Sequence, residues 1–339
     1  MKIFRDRFFF VCFRRKICYN RSMKNQNGQK QKNTLASFLG EPTKAKASGI
    51  SFSFAAMLPT MLSVFFIAVL VVSGLAKQQD ITTKDWYLYV SYLLPQISFA
   101  IVALFYLRYQ KKPIKRAVAE QKCKPIYFLI ATLLQIGLLA LSQLNTWFLE
   151  FLKNFGYEDA GIRLPSMDGV GFVGVLFVVA LLPAVFEEIL FRGVLLQGLE
   201  SFGKVGSVLL CGALFALYHQ NPAQTVYQFC CGAAFALVAL KSGSVLPTVL
   251  SHFLNNAAIL ILTKAGVTEY SPPVFIVIMT VSAVCLLLSL GYLLFMDKQE
   301  KTPMEKERAK AERKQFLLCA LIGIAVCALS WGAVFVAGL

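Results

Sequence analysis

From Gly169 to Phe186 the chain reads GVGFVGVLFVVALLPAVF, eighteen residues without a charge. A run of that length crosses the roughly 30 Å hydrocarbon layer of a bilayer as a single helix. The stretch is one of nine long apolar blocks, near residues 50–76, 86–108, 126–152, 169–198, 205–219, 223–240, 245–264, 272–296 and 316–338. The chain as a whole is 57% hydrophobic and 15% charged, with a mean hydropathy of +0.62, well beyond an ordinary soluble domain. No ten-residue segment alternates apolar with polar in the way a membrane strand must, which excludes a β-barrel. The expected fold class is all-α: a polytopic transmembrane helical bundle of about eight or nine spans.

Charge orders the spans. The net charge is +16, but the cations are not spread as a nucleic-acid surface would need. Twelve Lys/Arg against two acids lie in residues 1–49, a second basic cluster runs from Arg108 to Lys124, and a third, mixed with acids, from Lys298 to Lys314. All three flank apolar blocks and act as cytoplasmic anchors under the positive-inside rule. The connectors KQQDITTKD (Lys77–Asp85) and KNFGYEDAGIRLPSMD (Lys153–Asp168) are near neutral and fall on the other side. The amino terminus is therefore expected in the cytoplasm, the carboxyl terminus outside, and a nucleic-acid partner is not expected. The opening MKIFRDRFFFVCFRRKICYNRS is a poor signal peptide, and Met23 begins a polar segment that leads into the first span, so we expect translation to start at Met23. Nine cysteines show no CxxC. Cys211, Cys230, Cys231, Cys285, Cys319 and Cys327 sit inside spans as small apolar residues, and no disulfide framework is implied.

The polar residues inside the apolar blocks are few and concentrated. An ionisable group at the centre of a span costs about 2.5–3.5 kcal/mol on insertion scales, so each requires a reason. In PAVFEEILFRG, Glu188 and Arg192 are i,i+4 neighbours that can pair on one helix face. Glu187 lies about 100° round the helix and is left over. Pro183, four residues before it, removes a backbone donor and can kink the span. The two histidines of the whole chain, His219 and His252, both fall in the central blocks, Phe215 and His219 at i,i+4 in FALYH and His252 and Asn256 at i,i+4 in SHFLNN. Charge-capping of one span end explains Glu187, Glu188 and Arg192 alone, but not the histidines and the asparagine with them.

Two chemistries fit that set. A carboxylate with an imidazole can activate a water, and an imidazole with a carboxamide can donate to a developing oxyanion, which suits hydrolysis of an amide bond. The same side chains could hold Zn²⁺ through Glu187, His219 and His252 with a fourth position for water, although no HExxH is present.

The ordered motifs EExxxR (Glu187–Arg192), FxxxH (Phe215–His219) and HxxxN (His252–Asn256) resemble those of the CPBP intramembrane proteases (CAAX protease and bacteriocin-processing, or Abi), a family that includes the type II CAAX prenyl endopeptidases. The resemblance covers about residues 169–264 and implies a catalytic core of four central helices. It implies that Glu187 and His219 activate the hydrolytic water, that His252 and Asn256 stabilise the oxyanion, and that Glu188 and Arg192 support Glu187. Either a Zn²⁺ cofactor or a metal-independent glutamate mechanism is compatible with it. The expected organisation is a basic polar tail at 1–49, three spans at 50–168, the core at 169–264 and two further spans at 265–339. The expected activity is intramembrane endopeptidase action on a membrane-anchored protein or peptide, prenylated or not. An ion- or proton-coupled transporter, or a non-catalytic immunity or scaffold protein, are the alternatives from other classes. One feature fits poorly: His219 ends its span about fifteen residues (roughly 22 Å) from the inner start, deeper than Glu187 and His252. Convergence requires that span to tilt or begin deeper, or residues 194–204 to be submerged.

Overall fold

A chain this apolar has to satisfy its backbone internally once it leaves water, and helices do so within each segment. The computed structural model describes residues 43–77, 80–111, 122–267, 269–296 and 304–339. Most of the basic tail, including Met23, and parts of the second and third basic clusters lie outside them. Among the described residues there are nine helices long and apolar enough to cross a membrane and no β-strand, so the chain is an all-helical, integral multi-pass membrane protein. They are α1 (Lys44–Val72), α2 (Asp85–Tyr109), α3 (Ile126–Lys153), α4 (Val170–Gly198), α5 (Gly203–Tyr218), α6 (Thr225–Ser242), α7 (Leu246–Lys264), α8 (Pro272–Phe295) and α9 (Lys306–Ala337).

Two helices are longer than hydropathy suggested. α1 starts at Lys44 rather than near 50, because Thr43 caps it: its Oγ accepts from the Lys46 N–H at 3.2 Å and its hydroxyl donates to Gln315 Oε1 at 2.7 Å. α9 starts at Lys306 rather than near 316. Its first ten residues, KERAKAERKQ, are strong helix formers that a hydropathy window rejects. There Arg308 pairs with Glu312 at 2.9 Å, and Arg313 Nε donates to the Ser201 carbonyl at 2.6 Å.

Contacts between distant segments define the two ends of the bundle. At one end Lys44 meets Glu200 at 3.4 Å, Gln110 donates to the Thr43 carbonyl at 3.3 Å, and Arg313 reaches Ser201. At the other, the Glu158 N–H donates to the Gly338 carbonyl at 2.8 Å, the Ser166 N–H to Asp85 Oδ1 at 2.8 Å, and Lys264 to the Met167 carbonyl. Between the ends, α5 and α6 cross where Gly212 faces Gly232. A Cβ on Gly212 would lie 2.8 Å from the Ala233 backbone nitrogen, so only glycine permits that approach. α8 is at the other extreme: Ile276, Val277 and Leu287 are all more than 60% exposed, as a lipid-facing helix should be.

Candidate active site

α4 carries the glutamates, and it is not a uniform α-helix. Wider π turns at Leu176–Leu181 and Ile189–Leu195 flank the turn that holds Pro183, Glu187 and Glu188. Proline has no N–H to give to the Val179 carbonyl four residues back. That carbonyl instead accepts from Asn256 Nδ2 of α7, at a long 3.4 Å.

The i,i+4 ion pair expected from spacing is present. Arg192 Nη1 donates to Glu188 Oε1 at 2.7 Å with both side chains fully buried, and Nη2 donates to the Gly232 carbonyl at 3.1 Å. The guanidinium carbon also lies 4.5 Å from the Phe215 ring centroid and 5.3 Å from that of Phe235, so aromatic faces replace the water it has lost. The same Glu188 oxygen lies 2.9 Å from His252 Nδ1. Glu188 therefore fixes two side chains, one on its own helix and one on α7. A carboxylate only accepts here, so His252 carries a proton on Nδ1 and turns Nε2 away from the pair.

His219, at the end of α5, is oriented in the same way by a different acceptor. Its Nδ1 lies 2.8 Å from the Phe215 carbonyl, which can only accept, leaving Nε2 of the neutral ring as a lone-pair site. The Phe215 ring is edge-on to both histidines, 4.7 Å from His219 and 6.0 Å from His252.

Glu187, His219, His252 and Asn256 all line one cavity of about 1030 Å³. Glu188 and Arg192 do not; they are packed behind it. Glu187 is 9% exposed, and its Oε2 is buried with no hydrogen-bond partner. The stretch that follows the α4 site is packed within the protein. Val194, Leu195 and Leu199 are fully buried and Ser201 nearly so, with α4 continuing helically to Gly198. Glu187 thus stands eleven residues, about 16 Å, from the end of its helix rather than close to a surface.

A polar network beside the site escaped the sequence reading. Asn255 Oδ1 accepts from Gln135 Nε2 at 2.8 Å and from the Tyr227 hydroxyl at 2.9 Å, and Asn255 Nδ2 donates to Asn256 Oδ1 at 3.2 Å. With its oxygen held, the Asn256 carboxamide presents its NH₂ group toward α4. Asn255 was in view in SHFLNN, but its partners come from α3 and α6, and no local spacing announces them.

Among the described residues no group of three or more His, Cys, Asp or Glu stands close enough together to hold a metal ion. Glu187, His219 and His252 share a cavity wall.

Residues 169–258, about a quarter of the chain, match the family model described as type II CAAX prenyl endopeptidase Rce1-like. No curated protein and no solved structure matches the chain. The matched segment contains all three motifs, the buried ion pair and the wall of the cavity that carries them. The core from 169 to 258 is therefore similar to the type II CAAX prenyl endopeptidase Rce1-like family.

Proposed function

We propose that the protein is an intramembrane endopeptidase in which Glu187 is the general base. The observation that carries this reading is the buried, unpartnered Glu187 carboxylate oxygen on a cavity wall shared with His219, His252 and Asn256. A carboxylate on a cavity wall, with an oxygen that no protein group engages, is placed to take a proton from a water there. In the proposed reaction Glu187 accepts a proton from a water whose second hydrogen is directed to His219 Nε2. The hydroxide attacks the scissile carbonyl carbon. Asn256 Nδ2 and His252 Nε2 donate to the oxygen that becomes negative, and the proton held by Glu187 passes to the departing amine. His252 donates from Nε2 in this step with both ring nitrogens protonated, its Nδ1 facing the Glu188 carboxylate.

Glu188 and Arg192 take a supporting part: they set the rotation of α4 and of the His252 ring, without contact with substrate. The substrate of this reading is a peptide segment of a membrane-anchored protein, and the amino terminus of the enzyme lies in the cytoplasm. The reaction as proposed needs no metal. Exhaustive chelation with metal analysis of the purified protein tests that directly: full cleavage by metal-free protein is expected, and activity restored only by added Zn²⁺ would overturn it. Glu187→Gln tests the base, with cleavage abolished and membrane expression unchanged. Retained cleavage by the purified variant would remove Glu187 from the mechanism.

A further inference from the structure

The cavity has two unlike ends. On the side of α4 that runs on from Glu187, Glu188, Leu190, Arg192, Leu195 and Leu199 are all buried and none of them lines it. No described residue of the connectors at that end of the bundle lines it. At the other end the wall includes Ile162 and Leu164 from the 154–169 connector, Gln220, Ala223 and Gln224 from the turn between α5 and α6, and Thr263 from the last turn of α7. Ile162 is 63% exposed while lining the cavity, so the cavity meets the surface there. The connector is tied across this end: the Tyr92 hydroxyl donates to the Arg163 carbonyl at 2.7 Å, the Ser166 N–H bonds to Asp85, and the Glu158 N–H to Gly338.

Charge tells the two ends apart. The 110–125 connector, whose described ends Gln110 and Pro125 lie at the closed end, carries six Lys/Arg in its sequence. The four connectors at the open end together carry three, Lys77, Lys84 and Arg163. Lys/Arg in short loops set the orientation of a helical membrane protein, with the richer side cytoplasmic. The cavity wall itself is nearly free of charge. Thr60, Ser63, Gln96, Asn145, Thr146 and Gln228 contribute neutral polar groups among apolar ones, and Glu187 is its one carboxylate.

We infer that the cavity opens on the non-cytoplasmic face of the membrane and admits an uncharged peptide segment presented from that side, past the 154–169 connector. The inference rests on the peptidase reading of the same cavity for what enters, but not for where the mouth lies. Beyond Glu187 and the His252 ring at its deep end, that wall offers no fixed charge to an entering Lys or Asp, which would lose hydration with little compensation.

The test is accessibility in intact cells expressing the full chain, with a membrane-impermeant maleimide, each variant read against the unsubstituted protein. Ile162→Cys reports the mouth and Lys124→Cys the opposite end. The expected result is near-complete labelling of Ile162→Cys in sealed cells, with Lys124→Cys labelled only after permeabilisation. The reverse pattern would overturn the assignment. Labelling requires no turnover, so the same pattern is expected in the Glu187→Gln background, and failure of the catalytic reading would show separately as unchanged cleavage there. A second readout uses the active protein: a bulky adduct at Ile162→Cys, applied from outside, should block cleavage of an anchored peptide several-fold or more. Undiminished cleavage by fully labelled protein would contradict entry at this mouth.

Discussion

Glu187 and Glu188 are consecutive in the chain, yet they stand in two different regions of the molecule. Glu188 faces the packed seam between α4, α6 and α7, is fully buried, and accepts from Arg192 at 2.7 Å and His252 at 2.9 Å. Each carboxylate leaves its Oε2 buried without a hydrogen-bond partner, but Glu187, one residue earlier, lines the cavity and Glu188 does not. A rotation of about 100° on one helix turn separates a carboxylate bonded to its neighbours from the cavity-lining one that we propose acts in the chemistry. The comparison shows that a charge within the membrane has to be explained by its face, since two identical side chains at the same depth can carry opposite requirements.

The sharpest way to break that contrast is to neutralise each carboxylate in turn. Glu187→Gln should reduce peptide cleavage by about 10²–10⁴-fold, the usual worth of a general base, while thermal unfolding in detergent stays unchanged or rises, because an uncompensated buried charge is removed. Glu188→Gln should act the other way, leaving Arg192 buried without its counter-charge. A loss of about 3–5 kcal/mol is expected, read as a lowered unfolding midpoint and poorer membrane accumulation. Replacing both partners by apolar residues, E188L with R192M, should recover much of that stability but not activity, since His252 would lose the acceptor on its Nδ1.

Smaller effects sharpen the cavity side. Asn256→Ala should lower kcat by about 10²–10³-fold with little change in KM, as expected for a donor whose contact strengthens only in the transition state. A pure KM effect would move Asn256 from oxyanion donor to substrate binding. Tyr227→Phe removes one of the two bonds to Asn255 Oδ1 and leaves the Gln135 bond in place. About 0.5–1.5 kcal/mol of stability should be lost, with a kcat decrease well below that of Asn256→Ala. At the far end Lys44→Ala, which deletes a partly exposed pair with Glu200, should cost no more than about 1 kcal/mol and leave cleavage untouched.

Much of this was legible in the residues because it depends on local periodicity. Nine apolar blocks became nine helices, since span length is dictated by the bilayer and read by composition. The Glu188–Arg192 pair follows from i,i+4 spacing, and the leftover status of Glu187 follows from the same geometry. The starts of α1 and α9 were not legible: a threonine cap and a charged helical extension leave no mark on hydropathy. Nor was the second duty of Glu188, because its bond to His252 joins positions 64 apart in the chain. The link from Pro183 to Asn256 needed both ends: the proline exposes a carbonyl, but only the packing of α7 on α4 shows which side chain meets it. Long-range polar contacts of this kind are set by helix packing, and the motif letters do not encode them.

The central claim is that Glu187 acts on water while Glu188 only holds the site together, and one paired measurement tests it most directly. Purified Glu187→Gln and unsubstituted protein are compared for hydrolysis of the same membrane-anchored peptide and for unfolding midpoint in the same detergent. The account predicts a variant at least as stable as the parent that no longer cleaves. A variant that still cleaves at a rate close to the parent's, or one that fails only because it unfolds, would contradict it.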